Sequence, residues 1–201
     1  MAGLHSLGDE VILDHKNIPR NSTGSSGGVA ATASTSSAVE SGGGIINKTV
    51  ITLVDQVVVL ADEAGVVGYG SVQLYDFPAG AIKTIGATAD VAVTKTSAGV
   101  DATWAGDFGL GTTLATNNNT LATTEQNIIP TTATAAAVAG LGAVAAQSTA
   151  AEDTVKDGTT TAASVFYNVL IDDGDQDITG TACNFILNGT ITLHWINLGD
   201  Y

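Results

Sequence analysis

A chain of 201 residues with 44% hydrophobic side chains is long enough to bury a sizeable core. Charged residues make up only 13%, about half the usual share, and six Lys and Arg stand against twenty Asp and Glu, a formal net charge of -14. Such a chain is repelled by nucleic-acid phosphates and by anionic lipid, which excludes both as partners, and a single cysteine, Cys183, excludes an intrachain disulfide or a cysteine-based zinc site.

The first residues carry Asp9 and Glu10 and lack a basic start followed by a continuous apolar core, so no export signal is expected and the chain is read as made in the cytoplasm. Val11, Ile12 and Leu13 form a short apolar run able to add a strand to this domain or to a neighbour. Beyond them, residues 16–44 are mostly Ser, Thr, Gly and Ala, with no apolar periodicity. Residues 1–44 are therefore expected to be an extended N-terminal arm and linker. Within it Val11, Ile12, Leu13, Lys16, Ile18 and Arg20 are the candidate partner-binding residues: apolar anchors and two cations on a tether, suited to an acidic neighbouring surface.

The folded body is expected over 45–201. Residues 49–60 are a β-branched run interrupted at Asp55 and Gln56, and Asp62, Glu63, Ala64 and Gly65 read as a turn. Strands are expected at 66–77, ended by Pro78, at 81–85 and at 87–96. Residues 100–110 are broken by Gly106 and Gly109, which signals a bulge or a close backbone approach. One short helix is expected within 113–127, and strand within 131–147. The uncharged stretch between Glu125 and Glu152 is too rich in Ala, Thr and Gly to span a membrane and reads as a tightly packed strand pair.

Residues 162–171 alternate, with Val165, Tyr167, Val169 and Ile171 on one face. The clearest strand is the last, 184–195. It places Phe185, Leu187, Ile191, Leu193 and Trp195 on one face and Asn184, Asn188, Thr190, Thr192 and His194 on the other. Eight or nine strands separated by Gly, Asn and Asp turns, without βα alternation, predict an all-β jelly roll or related β-sandwich with an extended N-terminal arm.

Signals for chemistry are weak. His5, His15 and His194 have no neighbours in sequence that would make a catalytic triad, so no enzyme activity is expected. Asp172, Asp173, Asp175 and Asp177 crowd one segment, but their spacing fits no EF-hand loop and reads as a solvated turn, so no metal or cofactor is assigned. The glycines at 106, 109 and 111 lack the spacing of a phosphate-binding loop. Cys183 shares a face with Phe185 and Leu187 and reads as a small buried residue.

Taken together, the Gly-Ser-Thr arm, the stretch 68–80 (Gly68, Tyr69, Gly70 through Phe77, Pro78, Ala79 and Gly80), the Asn-rich 114–130 and the ending 191–201 resemble the small virion structural proteins of tailed bacteriophages, capsid decoration or cement proteins above all. That resemblance implies a jelly-roll or related β-fold, often a homotrimer, on the outer capsid surface. Its partners would be the major capsid protein and copies of itself, and no catalytic residues or cofactors come with it. The alternative expectation is a receptor- or carbohydrate-binding β-domain of a phage fibre or spike, which would group exposed aromatics in a groove.

Overall fold

The computed structural model describes residues 22–23, 35–41, 46–63, 67–96, 100, 104–116, 120–138, 141–148, 155–172 and 183–199. Its strands are β1 (Ser22–Thr23), β2 (Thr35–Ser41), β3 (Ile46–Glu63), β4 (Val67–Asp76), β5 (Gly80–Lys95), β6 (Ala105–Gly111), β7 (Ile129–Val138), β8 (Leu141–Ser148), β9 (Lys156–Gly158), β10 (Ser164–Asp172) and β11 (Cys183–Asn197). The protein is all-β. The short helix expected within 113–127 is reduced to a 3-10 turn at Thr123–Glu125, and the Ala-rich stretch forms the antiparallel pair β7 and β8.

Neighbouring strands run β3-β11-β5-β8-β7-β6-β10-β4, and β4 pairs back onto β3. The sheet thus curls until its ends meet. The strands β3-β11-β5-β8 make one half and β7-β6-β10-β4 the other, every pairing between them antiparallel. This is the strand order of a jelly roll, in which closure removes most of the exposed edge.

One apolar cluster fills the interior. Leu187, Ile191 and Leu193 are fully buried and Trp195 is 3% exposed, as the alternation in the last strand predicts. Val165, Tyr167, Val169 and Ile171 face them from β10. Aromatic edges meet aromatic faces between Phe77 and Trp195 and between Trp104 and Phe185, with centroids 5.4 and 4.9 Å apart. The Trp195 indole N–H donates to the buried Thr49 hydroxyl at 2.9 Å, so the one polar atom of that ring is satisfied.

Three departures from simple alternation shape the sheet. Opposite Asn188, β3 carries two residues, Val54 and Asp55, and Asp55 has φ 50. This bulge is the interruption visible in the sequence, and it moves the buried set from Ile51 and Leu53 to Val58 and Leu60. In β5 the segments 81–85 and 87–96 join into one strand across a second irregularity, where His194 meets Gly86 but Trp195 meets Thr84. The expected turn at 62–65 begins later than the sequence suggests, because Asp62 and Glu63 still pair with Gly68 and Val67.

Part of the arm also has a place. Thr35–Ser41 pairs with Val54 through Lys48 on the edge of β3 that β4 leaves open, and Ala38 is buried there. Backbone hydrogen bonds, rather than an apolar stripe, make this Ser-rich segment a strand.

Candidate interaction surface

Val11, Ile12, Leu13, Lys16, Ile18 and Arg20 all lie outside the described residues, as do His5, His15, Asp173, Asp175 and Asp177. Asp172 ends β10 and Cys183 begins β11 opposite Leu60. His194 stands on the outer side of β11, with Lys48 of β3 and Gly86 of β5 as its cross-strand neighbours. Among the described residues no group of three or more His, Cys, Asp or Glu is arranged to hold a metal ion.

Among the described residues, the buried polar side chains other than Tyr167 are engaged in holding the fold. Asn168 sits on the outer side of β10 yet is fully buried, because the β6–β7 connection folds over it. Its carboxamide oxygen accepts from the Ser71 hydroxyl at 2.6 Å and from the Ala115 N–H at 3.1 Å. Its amide donates to the Thr113 and Glu125 carbonyls at 2.9 and 2.6 Å. Four hydrogen bonds exhaust the usual capacity of that side chain. Glu125, 2% exposed, accepts from the Thr116 hydroxyl and the Ala122 N–H, both at 2.7 Å. A carboxylate occupied in this way anchors a loop.

The glycines of β6 explain how that loop comes so close. A methyl at Gly109 would stand 2.7 Å from Leu121 Cδ1, and one at Gly111 would collide with the Glu125 backbone. Close backbone approach, one of the two expectations for this segment, therefore holds, and so does the other, since the register between β6 and β7 slips between Phe108 and Leu110. Lys156, also buried, donates to the Thr84 hydroxyl at 3.1 Å. The Tyr167 hydroxyl has no hydrogen-bond partner, and burial raises its pKa above the ordinary tyrosine value.

The outer side of β3, β11 and β5 forms one continuous face of the described strands. Its rows are set by register: Ile46, Ile196 and Lys83; then Lys48, His194 and Gly86; Val50, Thr192 and Thr88; and Thr52, Thr190 and Asp90. Val54 and Asp55 follow beside Asn188. Ile46 is 55% and Val54 48% exposed. This face was only half legible: alternation identified the outward set on β11, whereas the rows on β3 and β5 depend on bulges and pairings that sequence does not display.

Comparison with family models, with curated proteins and with solved structures finds no match to this chain.

Proposed function

We propose that this protein is a structural component of a bacteriophage virion that decorates and braces the outer face of the capsid through contacts with the major capsid protein and with copies of itself. The observation that carries this reading is the outer face of β3, β11 and β5, a sheet surface of Ile, Val and Thr whose four charges, Lys48, Lys83, Asp55 and Asp90, lie toward its two ends and on which Ile46 and Val54 are exposed. Its uncharged middle row, Val50, Thr192 and Thr88, suits a protein contact, since the centres of such interfaces are depleted in charge. A chain of charge -14 suits the outside of a shell, since the packaged genome repels it. Jelly rolls are common among viral capsid and lectin domains, so the fold agrees with the reading without deciding it.

A receptor- or carbohydrate-binding domain needs aromatics at the surface. Here Trp104, Trp195, Phe77, Phe108, Phe185, Tyr75 and Tyr167 are buried, which favours the structural reading. A mass-spectrometric inventory of purified particles from the source tests it. Copy numbers in the hundreds are expected; a few copies per particle would move the chain to a fibre or tail, and its absence would end the virion reading.

A further inference from the structure

We infer that the outer face of β3, β11 and β5 is self-complementary and binds the same face of a second copy of this chain about a two-fold axis passing at Thr192. This deepens the assembly reading above by naming one partner, and rests on it only in taking the face to be a protein contact.

Charge along the face is ordered. Lys48 lies level with His194, and Lys83 level with Ile196. In the other direction Asp90 lies level with Thr190, and Asp55 is tied to Asn188. Two of the six basic residues of the chain thus occupy one end, and two carboxylates the other. At about 3.3 Å per residue the cationic and acidic residues are some 13 to 26 Å apart along the strands. The point midway between them is Thr192, flanked by Val50 and Thr88. Short uncharged side chains in that row let two sheets come together.

An isologous contact places each patch against its own copy. Two such faces can meet with strands parallel or antiparallel. The parallel arrangement sets the cationic end of each copy over the cationic end of the other, which like-charge repulsion opposes. The antiparallel arrangement sets the cationic end of each copy over the acidic end of the other, twice, by symmetry. Area permits it as well. Three strands, β3, β11 and β5, at about 4.8 Å spacing and some 33 Å in length give roughly 475 Å² per copy, the size of a small, transient interface. The arrangement is a two-fold dimer rather than the trimer that the family resemblance implies.

Light scattering of the full chain in solution, with no particles present, tests this, alongside three variants checked for a native β spectrum. The wild type is expected at twice the chain mass, with dissociation promoted by salt. Thr192→Arg, at the axis, should weaken dimerisation at least tenfold. Lys48→Glu/Lys83→Glu and Asp90→Lys should each weaken it alone, yet associate with one another when mixed, because one then carries an acidic cationic-end and the other a basic acidic-end. A monomeric wild type, a trimer insensitive to Thr192→Arg, or a mixture no tighter than the separate variants would overturn the proposal. A dimer that is absent from purified particles would leave it standing and defeat the decoration reading instead.

Discussion

Asn188 and Asp55 hold each other reciprocally across the β3–β11 ladder. The Asp55 backbone N–H donates to Asn188 Oδ1 at 2.9 Å, and Asn188 Nδ2 donates to Asp55 Oδ1 at 3.2 Å. Their residues are 133 apart in sequence, so a bulge in one strand is fixed by a side chain from the far end of the chain. The left-handed backbone at Asp55 is tolerated because these bonds over-determine it. Replacing Asn188 by Ala should cost about 1 to 2 kcal/mol, and Asn188→Asp more than that, since it exchanges a donor for a second carboxylate beside Asp55. Urea unfolding followed by tryptophan fluorescence would measure both, and equal stability of all three proteins would show the clamp to be idle.

Leu193 is fully buried in the middle of β11. Leu193→Ala should destabilise the fold by about 2 to 5 kcal/mol, from lost transfer energy and the cavity left behind. Thr49→Val should cost about 1 to 3 kcal/mol, because it strands the Trp195 indole N–H without an acceptor. Near-neutral values for both would mean that this face of the strand is not the core.

Gly111 admits the Glu125 backbone where a side chain would stand. Gly111→Ala should lift the β6–β7 connection from the sheet, with a loss of about 1 to 3 kcal/mol as in other overpacked sites. Limited proteolysis should then cut within 112–128 where the parent resists. Unchanged cleavage would show that the loop does not depend on this contact.

Tyr167 carries a pH signature. Its hydroxyl is buried and unbonded, so the folded state keeps it protonated well above the ordinary value of 10.0, while the unfolded chain ionises there. The unfolded state then binds fewer protons than the folded one, and stability falls as pH rises. The contribution is complete below about pH 10 and declines above it. Tyr167→Phe removes this term and an unpaired polar atom at once. It should be as stable as the parent or more so at neutral pH, and should lose less stability between neutral and strongly alkaline solution. A parallel pH profile for parent and variant would contradict the burial of that hydroxyl.

How much of this was legible beforehand depends on the kind of interaction. The inward sets on β10 and β11 follow from period-two alternation, since those strands keep one face in the core for their whole length. On β3 the same reading stalls at Asp55, because one inserted residue exchanges the two faces and the clamp that holds it comes from Asn188. Gly106 and Gly109 announced a bulge or a close approach without saying what approaches. The strand at Thr35–Ser41 carried no apolar pattern at all, since it is recruited by an open backbone edge on β3. Of the candidate surface, sequence gave the outward residues of β11, while the ordered charge emerges only when Lys48, Lys83 and Asp90 are brought level with their partners on β11.

The pairing of β11 between β3 and β5 also bears on how the chain is made. The first long strand finds its main partner in the last, with Ile46 opposite Ile196. Nothing in between can complete the interior. During synthesis the edges of β3 and β5 that receive β11 stay unpaired until β11 has left the ribosome, and such non-local pairing folds slowly. A nascent chain stopped before β11 would expose two long β-branched edges, the kind that templates aggregation. The scarcity of charged residues in the chain is, at that stage, a hazard, and solubility while waiting rests on the strong net negative charge.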